Sequence, residues 1–221
     1  MAKENILKTP PKGAVRFSLS LSAEQKSAKT EILNHPFNFI VGKAGSGKTL
    51  LAVQVALDQF FKRRCNKIII TRPTIATEDN GFLPGTEKEK MEPWLVPIRS
   101  NMRKIYNKPE ILDKMESEEQ IELVSLAHFR GRTFDSSIVI VDEFQNLTRS
   151  QLAMAIGRLG KDSTMIFCGD SYQMDLKDKN YSAYHDMSKL VNSKYVHKTV
   201  LTDNHRHAAI DDLLELLNGY H

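Results

Sequence analysis

Short apolar runs that stop at polar clusters recur along this chain. They are Phe37–Val41, Lys67–Thr71, Ile121–Leu126, Ile138–Val141, Thr164–Cys168 and Val196–Leu201. Runs of this length, rich in β-branched and aromatic residues, predict buried strands. Amphipathic segments lie between them. Leu50, Val53, Leu57, Phe60 and Phe61 recur at helical spacing after the first run. Met91, Trp94, Leu95, Ile98, Met102 and Ile105 form a second helical stripe, which Pro93 and Pro97 should start or kink. A third helix is predicted from Thr148 to Leu159, with Thr148 as N-cap and Gly160 as the C′ residue. A last short one covers Asp211 to Leu217, and polar Asn107–Glu119 reads as a surface excursion. Continuous apolar strands alternating with helices predict an α/β fold: a mostly parallel sheet with helices on both faces.

Composition narrows this little further. The 221 residues, 41% of them hydrophobic, suffice for one sizeable core. Residues 1–13, polar and carrying Pro10-Pro11, read as a flexible N-terminal arm without the apolar stretch of a signal peptide, and 14–221 as a single domain. No apolar run approaches the roughly 18–20 residues of a membrane helix. Two cysteines, Cys65 and Cys168, make neither a disulfide framework nor a metal cluster, so a reduced, cytoplasmic setting is expected. A net charge of +4 permits an anionic partner without requiring one.

The chemistry begins where the first strand ends. Gly42-Lys43-Ala44-Gly45-Ser46-Gly47-Lys48-Thr49 spells the phosphate-binding P-loop, G-x-x-x-x-G-K-[ST]. Its glycines let the backbone wrap a polyphosphate, and its amides lead into a helix N-terminus that favours anions. Lys48 is expected at the β- and γ-phosphates and the Thr49 hydroxyl at Mg²⁺; Leu50 completes the nucleotide-binding set. Ile138-Val139-Ile140-Val141 ends in Asp142-Glu143, the pattern of a strand that supplies a carboxylate near Mg²⁺. Asp142 is assigned to the ion, and Glu143 to orienting or deprotonating the attacking water. Gly169-Asp170-Ser171-Tyr172-Gln173 follows another buried strand, at the end where open α/β sheets place ligands. Asp170 and Gln173 are therefore candidates to sense the γ-phosphate.

With these segments in this order, the chain resembles the PhoH-like family of P-loop ATPases, relatives of the first motor domain of superfamily 1 helicases. The matching residues also include Thr71-Arg72-Pro73, Gly81-Phe82-Leu83-Pro84-Gly85, Glu89-Lys90, Pro93, Phe129-Arg130-Gly131-Arg132-Thr133 and Gln145-Asn146. The resemblance implies a RecA-like fold in which another strand separates the P-loop strand from the one ending at Asp142. It implies ATP and Mg²⁺ as ligands, with family roles for Lys48, Thr49, Asp142, Glu143 and Gln173. Arg132 becomes a candidate for touching phosphate or a neighbouring subunit's nucleotide. Arg206 resembles the arginine that superfamily 1 enzymes place near the γ-phosphate. Gln25 resembles their adenine-reading glutamine, although Ser22-x-x-Gln25 is also a capping box. The resemblance is to the short family forms, including those encoded by bacteriophages, so the expected setting is cytoplasmic, that of the host if the chain is phage-encoded.

A single strand of RNA or DNA is the expected polymeric partner, RNA before DNA. Thr71-Arg72-Pro73 matches the motif that touches the strand backbone, and Arg130 is assigned with it. Arg99, Arg103, Lys104 and Arg132 add charge, and Phe82, Trp94 and Tyr172 could stack bases. Trp94 fits a core stripe equally well, and Arg99, Arg103 and Lys104 a solvated helix face. His205 and His207 flank Arg206 without further metal ligands. One motor domain with surplus arginines predicts a homo-oligomer, a hexameric ring by resemblance, with an arginine supplied in trans. A nucleotide-gated interaction protein with slow hydrolysis is the alternative. A small-molecule kinase is disfavoured by Asp142-Glu143 with Gln173.

Overall fold

The computed structural model describes residues 16–73 and 87–205, together with 209, 210, 213 and 216; for 87–92 and 94 it describes the backbone alone. Residues 1–13, Gly81–Gly85 with Phe82, Arg206, His207, the Trp94 side chain and most of Asp211–Leu217 therefore lie outside the described residues.

Six strands form one sheet: β1 (Phe37–Gly42), β2 (Lys67–Thr71), β3 (Ile121–Leu123), β4 (Ser137–Asp142), β5 (Thr164–Gly169) and β6 (Val196–Leu201). Their order is β3-β2-β4-β5-β1-β6, and every pairing is parallel. β5 separates β1 from β4, as the resemblance implies. In register, Val41 faces Gly169 and Asp142 faces Cys168, so the phosphate-loop strand and the acidic strand end side by side.

Burial follows the strand period of two. Ile40, Ile68, Ile70, Ile138, Ile140, Ile166 and Cys168 fill one face, packed beneath α1 (Ala23–Asn34), α2 (Lys48–Phe61), α3 (Glu87–Ile105) and α4 (Pro109–Ser117). Phe39, Val41, Ile69, Val139, Val141, Met165 and Phe167 fill the other, against α5 (Arg149–Ile156) and α6 (Met187–Leu190). Phe39 stacks on Phe167 at 4.7 Å between ring centres, and Phe144 meets Phe39 edge-on at 5.2 Å. α2 is the central helix: Leu51, Ala52, Val53, Val55, Ala56 and Leu57 are all buried. Cys65 and Cys168 are buried and free. No helix among the described residues is long and apolar enough to cross a membrane.

Four expectations change. β3 stops at Leu123, because its partner β2 ends at Thr71 and Val124 N–H makes the last bond, to the Ile70 carbonyl; Leu126 opens a 3₁₀ turn instead. Asn107–Glu119 is no loose excursion: α4 occupies it and buries Leu112 and Met115. α5 ends at Ile156, with Gly157 as its cap. The chain then pairs Leu159 with Phe134, and a Cβ on Gly160 would lie 2.8 Å from Phe134 backbone, so this glycine serves a close approach rather than a helix end. Finally, α3 runs through Pro93 and Pro97 rather than starting at them, while Leu95, Ile98, Met102 and Ile105 are buried as the stripe predicts.

Candidate functional site

The ends of β1, β4 and β5 converge on one place. After β1 the chain turns through Gly42, Gly45 and Gly47, with φ of +159°, +90° and +80°. The last two lie in the left-handed region that glycine enters without penalty. Gly47 caps α2, so the loop's amides feed a 14-residue helix N-terminus that is ready for an anion. Lys48 Nζ curls back over the loop and donates to the Gly42 and Lys43 carbonyls at 2.7 and 2.9 Å. The Ser46 hydroxyl is buried without a partner.

Thr49, on the first turn of α2, donates its hydroxyl to Asp142 Oδ1 at 2.6 Å, tying the loop to the end of β4. Burial above all, then the Glu143 charge, pushes Asp142 up to about 6. The Thr49 hydrogen bond and the charges of Arg72 and Lys48 act against that shift. A buried carboxylate whose ionisation suffers from lost solvation, beside a hydroxyl oxygen, is a fitting donor pair for a hard divalent cation such as Mg²⁺.

Glu143 itself sits at φ 54°, ψ 43°. A non-glycine residue held there stores on the order of 1–3 kcal/mol and persists only when its surroundings enforce it. Two neighbours grip its carboxylate. Arg72 approaches Glu143 Oε1 at 3.4 Å. Gln145, fully buried, donates to Glu143 Oε2 at 2.7 Å and to the Gln173 carbonyl at 2.8 Å, and accepts from the Asp170 amide at 3.1 Å. One side chain thus couples the acid pair to the 170–173 segment. Asn146 extends the strap by exchanging hydrogen bonds with Asp175. Gly169 makes this possible, because a Cβ there would stand 2.4 Å from the Phe144 ring and 3.0 Å from Gln145 Oε1. Sequence reasoning assigned Gln145 no role; its signal was the apolar-acid-acid-x-Gln spacing after β4.

The remaining predicted residues are placed unevenly. Asp170 is buried and uses its carboxylate on the Tyr172 amide of its own turn, and the Gln173 side chain is exposed. Gln25 completes the capping box with Ser22. Its other end, Nε2, donates to the Ser46 carbonyl at 3.4 Å and meets His205 Nε2 at 3.3 Å. His205, read from sequence only as a poor metal ligand, therefore lies against the loop, where its amide donates to the Gly45 carbonyl. Glu24 holds that segment by accepting from the Thr202 and Asp203 amides. Burial raises its pKa, but these bonds outweigh it and leave the carboxyl below its ordinary value.

Thr71 and Pro73 are buried, so in this conformation the Thr71 side chain cannot touch a strand; Arg72 turns towards Glu143. Arg130 is exposed. Arg132 pairs with Glu122 of β3 at 2.7 Å and covers the Phe134 ring, two strands beyond β4. Arg99 and Arg103 pair with Glu116 and Asp113 of α4. Tyr172 is exposed.

Comparison with known proteins fits this geometry. The family model described as PhoH-like protein matches residues 19–218. A PhoH-like protein of Synechocystis is 42% identical over 66% of this chain and 44% of its own length. One from Mycobacterium leprae is 35% identical over 82% of this chain and 53% of its own. The chain thus spans about half the length of these curated relatives. The large terminase of a thermophilic bacteriophage has the same fold at 11% identity. Its TM-score is 0.55, covering 89% of this chain and 49% of the terminase. The sheet is accordingly a RecA-like P-loop fold.

Proposed function

This chain belongs to the PhoH-like protein family, and on that footing we propose that it is a Mg²⁺-dependent ATP hydrolase stimulated by single-stranded nucleic acid, RNA before DNA. The observation that carries the hydrolytic part is the Thr49–Asp142 bond at 2.6 Å, with Glu143 held beside it by Gln145. These contacts bring the phosphate loop, Asp142 and Glu143 together, which supports reading them as a phosphate cradle, a cation site and a carboxylate base.

In this reading the amides of residues 42–49 wrap the β- and γ-phosphates, and Leu50 continues the helix start behind them. Lys48 leaves the Gly42 and Lys43 carbonyls for phosphate oxygens. Thr49 and Asp142 would hold Mg²⁺, which when bound would supply positive charge at the phosphate oxygens. Glu143 orients a water for in-line attack on the γ-phosphorus and accepts its proton. The P–O bond to the leaving β-phosphate oxygen breaks as the new one forms, giving ADP and phosphate. Lys48 offsets charge that develops in the transition state. Gln25, which reaches the Ser46 carbonyl from α1, is the residue assigned to read the adenine edge, and it would have to leave that bond to do so. Loss of the γ-phosphate would release Glu143, and through Gln145 the segment of Asp170 and Gln173.

Arg72, which reaches Glu143, links this site to Thr71-Arg72-Pro73, the segment assigned to a nucleic-acid strand, as Arg130 also is. Arg132, at the β3 side of the sheet, would touch phosphate or serve a neighbour's nucleotide in a ring-shaped homo-oligomer, and Arg206 would lie near the γ-phosphate. A host or bacterial cytoplasm is the expected setting. ATPase rates with and without single-stranded RNA and DNA, on protein of measured mass, test the proposal. Stimulation by either strand supports it, and strand-independent slow turnover by an oligomer would favour the nucleotide-gated interaction protein.

A further inference from the structure

At the opposite end of the sheet from the phosphate loop, three potential ligands meet: Glu31, His35 and His197. None of them takes part in the proposed hydrolysis. Glu31 and His35 stand four residues apart at the end of α1, on one helical face. His197 comes from the second position of β6. One donor atom from each lies within 4.8 Å of the others. Glu31 Oε2 sits between the imidazoles, 3.7 Å from His35 Nδ1 and 3.9 Å from His197 Nδ1, and the rings stack at 5.1 Å between centres.

We propose that Glu31, His35 and His197 form a site for a borderline divalent transition ion, Zn²⁺ in the first instance. Two imidazoles and one carboxylate suit such an ion better than Mg²⁺ or Ca²⁺, which prefer all-oxygen sets. Three protein ligands leave one position of a tetrahedral ion to water.

The surroundings supply the outer support that metal-binding histidines usually have. His35 Nδ1 contacts the Glu31 carbonyl at 3.0 Å. A carbonyl only accepts, so Nδ1 is the donor in that bond, and His35 would ligate an ion through Nε2. Asn38 fixes the turn that presents His35 by donating to the Ile32 and His35 carbonyls at 3.2 and 2.8 Å. It is also the register partner of His197, and its own Oδ1 is buried without a hydrogen bond. The side chains are half-buried, 26%, 39% and 32% exposed for His35, Glu31 and His197, which leaves room for ion entry. Rotation about χ2, a soft torsion for histidine, would bring the stacked rings onto one ion.

An ion here would clamp the end of α1 to β6. The start of α1 carries Gln25 and Glu24, which hold the phosphate loop and the segment after β6. The site is independent of the proposed hydrolysis, so its test does not depend on turnover.

The test titrates the untagged full chain with Zn²⁺ by calorimetry, and with Co²⁺ while visible absorption is followed. Wild type should take up one equivalent with intense bands of tetrahedral Co²⁺, and Zn²⁺ should raise its Tm. His35→Ala/His197→Ala and the milder His197→Gln should each lose roughly tenfold or more in affinity. His185→Ala, on an exposed histidine outside the cluster, should bind as wild type does. Circular dichroism matching wild type confirms that the variants are folded. No uptake by wild type at tenfold excess would overturn the proposal, as would equal affinity in the double variant or loss of the equivalent in His185→Ala.

Discussion

The phosphate-loop side of the sheet and its arginine-rich side were both marked by sequence, but they are built differently. At the ends of β1 and β4, Lys48, Thr49, Asp142 and Glu143 converge, and several polar groups there are strained, buried or unsatisfied. At β3, α3 and α4, the arginines already have carboxylate partners: Arg132 with Glu122, Arg99 with Glu116, Arg103 with Asp113. Strain and unmet polar capacity on one side against mutual neutralisation on the other is what a poised site and a structural surface look like. Arg72, just past the end of β2, belongs to the first side through its contact with Glu143.

The largest effects should come from the first side. Glu143→Gln should cut ATP turnover by roughly 10²–10⁴, the usual weight of a general base, while ATP binding persists. Lys48→Ala should cost on the order of 10²–10³ in kcat, and weaken binding as well. Wild-type turnover in Glu143→Gln would remove the base from the assignment. Gln145→Ala comes next. It strips Glu143, Gln173 and the Asp170 amide of one shared partner, so stability should fall by about 1–3 kcal/mol. If the amide positions the base, kcat should also drop about tenfold, about 1.4 kcal/mol of barrier. Leu152→Ala separates the two effects: it opens a cavity in the same core, away from Gln145, and should cost about 2–5 kcal/mol. A kcat loss in Gln145→Ala beyond that of Leu152→Ala marks positioning rather than general loosening.

These variants also show what was legible beforehand. The strands were readable because a sheet buried on both faces imprints continuous apolar runs, and five of the six both begin and end within a residue of expectation. The loop and the acid pair were readable because their chemistry lies in consecutive residues. Gln145 was not, since its three partners come from two segments that only folding brings together. Nor was His205, whose place against Gly45 depends on β6 lying beside β1. α4 was hidden by its polarity: Leu112 and Met115 alone mark its buried face. The pairing of the arginines was equally hidden, because charge counts do not say which carboxylates lie opposite.

The arginine side should respond to acid instead. Burial raises the Glu122 carboxyl, but Lys67 and Arg132 outweigh it and hold it below its ordinary value of 4.5. Asp58, likewise opposed by burial, is held below 3.8 by Lys29 and Lys62. A lowered carboxylate contributes stability that is complete above its unfolded value and is lost as pH falls through the folded one. Tm should therefore rise slightly as pH falls through about 6, where the buried Asp142 takes up its proton, and decline below about 4, where Glu122 and Asp58 lose their partners. Glu122→Gln should flatten part of that decline, and an unchanged acid limb would remove Glu122 from the account.

The smallest effect should belong to Arg103→Ala. Arg103 and Asp113 are 53% and 60% exposed, and their single contact is 3.2 Å. Exposed pairs of this kind contribute about 0–1 kcal/mol, because water screens the attraction and two long side chains lose freedom. The α3 face it lies on was also a candidate for nucleic-acid charge. If pairing with α4 is its whole role, Arg103→Ala should leave both Tm and the stimulation of ATPase by single-stranded RNA within error of wild type. A clear loss of stimulation with Tm unchanged would return this helix face to the nucleic-acid surface. The contrast between a poised side and a neutralised side would then hold only for Arg99 and Arg132, whose partners are more deeply buried.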